Sequence, residues 1–197
     1  MAVSTEAIKQ LRAMTGAGMM DVKKALDETS GDLDKAADLL RERGIAKAAK
    51  KSERAAHEGF IGTYVHHNGK VGVMVELNCE TDFVAMNDSF HELARNIAMH
   101  VAMNDPRYVS RDEVPQEIAD AERDAFARQA AAEGKPANVV EKIAEGRLNK
   151  FYAEICLLEQ PYIKDDKKTV DTLIKESVAT IGENIQVGRF ARIAIGE

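Results

Sequence analysis

The apolar residues of this chain change their spacing once, and that change sets the fold class. Up to Gly44 they recur three or four residues apart, whereas on either side of Asn68-Gly69 they alternate with polar ones. The first spacing lays an apolar stripe along one side of a helix, and the second places every other side chain on one face of a strand. A chain that begins with the helical spacing and later takes up the alternating one is α+β: an N-terminal three-helix module, then a core with a small antiparallel sheet and flanking helices.

Ser4 can cap a helix in which Ile8, Leu11 and Met14 share a face, ending before Thr15. Thr15-Gly16-Ala17-Gly18 is a turn, and Met20, Val22, Ala25 and Leu26 suggest a second helix that stops at Ser30-Gly31. Asp32 can cap a third, with Leu33, Ala36, Ala37 and Leu40 on its inner face and Gly44 suited to a left-handed C-terminal position. Residues 1–45 therefore read as a compact module, and 46–56, which holds the basic run Lys47 to Arg54, as a linker.

Residues 57–197 read as the α+β core. Tyr64 to His67 and Lys70 to Leu77 flank Asn68-Gly69, the signature of a hairpin closed by a type I′ turn. Asp88 opens a helix lined by Phe90, Leu93, Ala94, Ile97 and Val101, which Asn104-Asp105-Pro106 closes. A capping-box spacing at Ser110 to Glu113 is followed by Pro115, where a helix can begin, and Gly134-Lys135-Pro136 breaks it before Val139, Val140, Ile143 and Ala144 resume a helical face that stops at Gly146. A helical hairpin or protrusion is expected near 115–150. Thr169 can cap a helix through Ile181, and two strand-like runs follow, Ile185 to Val187 and Arg189 to Ile195, so the sheet draws on both ends of the core.

Charge narrows the choice of partner. Lys and Arg total 27 against 33 Asp and Glu, and a net charge of -6 repels a phosphate backbone from the molecule as a whole. Cys79 and Cys156 lack metal-ligand spacing and read as buried free thiols of a reducing, cytoplasmic compartment. The first ten residues lack the apolar run of a secretory leader, and no stretch reaches the ~18 apolar residues a membrane helix needs.

Candidate catalytic motifs fail one by one. His91-Glu92-Leu93-Ala94-Arg95 begins like a zinc-protease helix, but Arg95 occupies the second ligand position. His66 and His67, read as strand neighbours, would face opposite sides and could not share an ion. Gly16-Ala17-Gly18 joins two helices, so it is no dinucleotide loop, and a phosphate-cradling G-x-x-x-x-G-K-[ST] is missing. Any nucleotide is then held by a partner. Asn78 to Ala85 stands out as a polar-to-aromatic connection in which Phe83 is either folded onto the core or presented as an anchor.

Thr15-Gly16-Ala17-Gly18-Met19-Met20-Asp21 and Asn78-Cys79-Glu80-Thr81-Asp82-Phe83-Val84 resemble the two signature segments of bacterial elongation factor Ts. Lys47 to Lys51, Ile97 to His100, Glu145 to Arg147, Gln160 to Tyr162 and Ile181 to Ile185 extend the resemblance over nearly the whole chain. It implies a guanine-nucleotide exchange factor for elongation factor Tu, met in its GDP-bound and nucleotide-free states, with no enzymatic chemistry, no cofactor and no direct nucleic-acid or membrane partner. It also implies that the first module is similar to ubiquitin-associated domains and docks on Tu through Leu11, Met19 and Met20. The core then carries exchange and dimerisation, with Thr81, Asp82, Phe83 and Val84 dislodging the magnesium ion of Tu and His66 a further contact. Longer members carry a second copy of the core, so a homodimer through Ile185 to Ile195 is expected. The rival readings are a nucleic-acid module using the basic linker and a small enzyme pairing Asp82 with His66 or His67.

Overall fold

The Ser4 hydroxyl accepts the Ala7 amide at 3.1 Å, and the first helix, α1 (Thr5–Thr15), starts behind that cap. A computed structural model describes residues 4–196, so the first three residues of the N-terminal module and the last of the core lie outside it. The chain divides into two compact units. One comprises the residues up to Phe60 with Leu77–Leu93 and Thr172–Gln186, and the other comprises Ile61–Glu76, Ala94–Asp171 and Val187 onward.

Within the first unit, α2 (Met19–Glu28) and α3 (Leu33–Ala49) complete the three-helix module, and Asp32 caps α3 by accepting the Lys35 amide at 3.0 Å. Leu11, Val22, Ala25, Leu26, Ala36 and Leu40 form its core. Two expectations change. Met14 does not share the inner face but is 56% exposed. Gly44 does not end α3, which runs on to Ala49 and makes the first residues of the expected linker helical. A Cβ at Gly44 would sit 2.8 Å from the Cβ of Ala179, so this glycine serves close approach and not a left-handed cap.

Beyond the module come β1 (Glu58–Val65) and β2 (Val71–Cys79). Their turn is not the two-residue type I′ form. The His66 amide donates to Val71 O, and Gly69 alone takes positive φ, at 68°. Asn68 instead accepts the Lys70 amide with its side chain at 3.0 Å, which satisfies a four-residue loop. A short helix, α4 (Asp82–Ala85), follows where a plain connection was expected, and α5 (Asp88–Asn104) opens after Asn87, whose side chain accepts the Ser89 amide at 2.9 Å. Phe90, Leu93, Ala94, Ile97 and Val101 of α5 are all buried, as their spacing requires.

In the second unit, α6 (Gln116–Ala132) starts behind Pro115 and packs against α7 (Ala137–Ile155) as a helical hairpin. Helix α7 continues through Gly146 instead of stopping there, and Arg147 on the next position reaches back to Gln129 at 2.7 Å. The antiparallel pair β3 (Pro161–Tyr162) and β4 (Asp165–Thr169) leads into α8 (Val170–Ile181), which from Thr172 on belongs to the first unit. The two expected terminal runs are one strand, β5 (Gln186–Ala194), which passes through Gly188 and gives a sheet of order β1-β2-β5.

His100 and Gln160, from two of the family-like segments, are buried in this second unit. With Nε2–H donating to Gln160 Oε1 at 2.9 Å and Nδ1 accepting the Ile163 amide at 3.2 Å, the ring is satisfied as neutral imidazole. Burial accordingly holds its pKa below the usual histidine range. Both cysteines are free and buried, and burial pushes the Cys156 thiol up to about 11, so neither is poised to react. Among the described residues no helix is long and apolar enough to cross a membrane.

Candidate functional site

The segment that begins at Cys79 turns about the carbonyl of Thr81. Cys79, wholly buried at the end of β2, donates its thiol to Thr81 O at 3.2 Å, and Ala85 N then closes a helical turn on the same carbonyl at 3.1 Å. Within that turn Val84 faces inward and is nearly buried, while Asp82 is exposed and Phe83 is 84% exposed. Burying an aromatic ring is worth more than burying almost any other side chain, so a phenylalanine this bare on a fixed turn is unsatisfied surface. The core-plug alternative for Phe83 is thereby excluded.

The turn is fixed at both ends. At its start, Glu183 accepts the amides of Glu80 and Thr81 at 3.1 and 3.0 Å and the Thr81 hydroxyl at 2.7 Å. At its end, His91 donates Nε2–H to Ala85 O at 2.7 Å, with its ring stacked on Phe60 at 3.9 Å between centroids. His91, the first residue of the failed zinc motif, therefore caps α4. Among the described residues no group of three or more His, Cys, Asp or Glu could hold a metal ion.

The three residues for which the resemblance implies docking separate into two kinds. Met19 and Met20, the first two residues of α2, are 58% and 67% exposed, whereas Leu11 is fully buried among the three helices. Leu11 offers no surface to a partner, and its part is to hold α1 against α2 and α3. Asp21, next in sequence, bonds Lys47 Nζ at 2.9 Å, and that lysine lowers its carboxyl pKa below the usual range.

His66 and Asp82 belong to different units. His66 and His67 lie in the turn after β1 and not in the strand, so they do not take opposite faces: their ring centroids are 4.2 Å apart. His66 Nδ1 is also 3.1 Å from the Tyr64 hydroxyl, and its ring is half-buried.

Glu183, His91 and Met86 join this turn without having been singled out by sequence for it. Met86, 73% exposed and three residues beyond Phe83, shares its helical face, and that spacing was the signal available. Glu183 lay within a family-like segment but gave no local sign of its role.

Comparison with known proteins places the whole chain. The family model described as "Elongation factor TS" matches residues 3–197. A protein of Geobacter sulfurreducens named "Elongation factor Ts" is 53% identical over all of this chain and 91% of its own length. One of Thermosipho melanesiensis with the same name is 54% identical over 99% of this chain and 100% of its own length. With a bare phenylalanine on a braced turn and two exposed methionines opening a helix, both in segments that resemble this family's signatures, the chain belongs to the elongation factor Ts family.

Proposed function

We propose that this chain is a guanine-nucleotide exchange factor for elongation factor Tu in cytoplasmic translation elongation, acting by contact and without a cofactor or covalent chemistry of its own. The observation that carries the reading is Phe83, exposed on a turn that is anchored by Val84 and braced by Glu183 and His91. Phe83 and Asp82 press on the partner's magnesium and phosphate site. Magnesium demands near-ideal octahedral geometry, so a small displacement of its supporting side chains weakens it sharply. The three-helix module of 1–45 docks elsewhere on the partner through Met19 and Met20, His66 adds a contact from the core, and neither RNA nor a membrane is needed.

Exchange of this kind is reciprocal. If the chain weakens GDP binding, GDP must weaken the chain's binding by the same factor, a coupling of about 1–3 kcal/mol or more, and returning nucleotide releases the factor. Elongation factor Tu loaded with labelled GDP and chased with unlabelled nucleotide tests this directly. Substoichiometric amounts of the chain are expected to speed label release many times over, and release that stays at its spontaneous rate would overturn the reading.

A homodimer completes the proposal. Strand β5 is an edge of the three-stranded sheet, and Ile193 on it and Ile195 just beyond are 75% and 74% exposed. An open edge with bare isoleucines favours pairing with a second copy. Light scattering at micromolar concentration should give twice the monomer mass of 21.6 kDa, and a monomer there refutes it.

A further inference from the structure

A helix of four residues cannot hold its own direction, since one or two turn hydrogen bonds do not offset the entropy of fixing it. The direction of Phe83 is therefore set from outside α4. Thr81 occupies the N-cap position but makes no side-chain cap, because its hydroxyl is given to Glu183. The Glu183 carboxylate is fully committed there: Oε2 takes two consecutive backbone amides and Oε1 takes the hydroxyl, from residues more than 100 positions away in sequence.

The brace is reciprocal. The Glu80 carboxylate accepts the Asn184 amide at 2.7 Å, and Asn184, only 2% exposed, donates its side-chain amide to Arg54 O at 2.7 Å and Ser52 O at 3.3 Å. Glu80-Thr81, which joins β2 to α4, and Glu183-Asn184, between α8 and β5, thus each hold the other pair with one carboxylate. Charge-assisted bonds to backbone amides are short and directional, so such an exchange fixes both position and rotation of the chain.

We propose that Glu183 is a positioning residue for nucleotide exchange, holding the Thr81 end of α4 so that Phe83 meets the partner in one orientation. This rests on the proposed role of Phe83. Glu183 need not touch the partner; its effect passes through Phe83.

Measurement of GDP release against factor concentration tests it. Glu183→Ala is expected to lower the maximal release rate about tenfold, because a wedge freed to wander reaches its target in few encounters, while the half-saturating concentration stays unchanged. Glu183→Gln should recover most of that loss: its single carbonyl oxygen can take the two amides, and its amide group can donate to the Thr81 hydroxyl. In a Phe83→Ala background, Glu183→Ala should add nothing further. Thr81→Val, which removes only the hydroxyl, should show a smaller fall of the same kind and keeps the test open if Glu183→Ala does not fold. The proposal is overturned if Glu183→Ala, or Thr81→Val in its place, releases GDP at the wild-type rate, or if its factor multiplies in full with that of Phe83→Ala. A Phe83→Ala variant as fast as wild type would instead fail the role of Phe83 on which this rests, and a wild-type chain that leaves release at its spontaneous rate would fail the exchange reading itself.

Discussion

Replacing Phe83 with alanine is expected to slow factor-stimulated GDP release about thirtyfold, the size of a lost hot-spot anchor worth about 2 kcal/mol, while the chain's own melting temperature hardly moves. The two halves of this result have separate causes. Because 84% of the residue is already in water, truncating it removes little buried area, and a surface substitution of that kind stays within about 0.5 kcal/mol of neutral. A phenylalanine plugging its own core would cost about 3–5 kcal/mol on truncation. Stopped-flow release and thermal melting on the same variant separate these cases. Added magnesium supplies a third reading: it should oppose wild-type stimulation and leave the variant nearly unaffected, because the variant no longer loosens the ion. Normal release per folded molecule, with magnesium sensitivity intact, would sink the wedge.

That outcome could be framed from the sequence but not decided there. Ser4 and Asp32 were legible as caps because capping depends on a side chain and an amide three residues apart. The buried face of α5 was legible because five apolar residues kept helical spacing. By contrast, Gly44 looked like a stop signal, since nothing local reveals that Ala179 approaches it and leaves no room for a Cβ. The residues of β4 carry no alternation at all, only a run of charges, and become a strand through pairing of Thr169 with Pro161.

The candidate site divides along the same line. Resemblance supplied Leu11, Met19 and Met20 as one group, and only burial separates the structural member from the two that face solvent. Thr81 to Val84 were legible as a segment, yet the inward Val84 and outward Phe83 follow from a helical turn that four residues do not announce. Glu183 was beyond local reasoning because its three bonds span 102 and 103 residues. Long-range polar contacts leave no periodicity to read.

Exposure of the methionine pair leads to the second large effect. The double variant Met19→Asp, Met20→Asp is expected to raise the factor concentration for half-maximal release about a hundredfold, since two apolar anchors worth about 2 kcal/mol each are lost, less than additively because they are neighbours. The maximal rate should survive, because Phe83 and its brace are untouched. Folding should survive as well. Both positions lie in the first turn of α2, behind Gly18, which provides no side-chain cap, and an acidic residue there interacts favourably with the helix N-terminus. The variant therefore separates docking from exchange without the ambiguity of deleting residues 1–45, which would uncover Ala179 where Gly44 now lies against it. Leu11→Ala provides the contrast: it should lower the melting temperature through a cavity in the three-helix core, with its effect on docking following from lost fold. If the double aspartate variant keeps its half-saturating concentration, or loses maximal rate instead, Met19 and Met20 do not dock this chain on its partner.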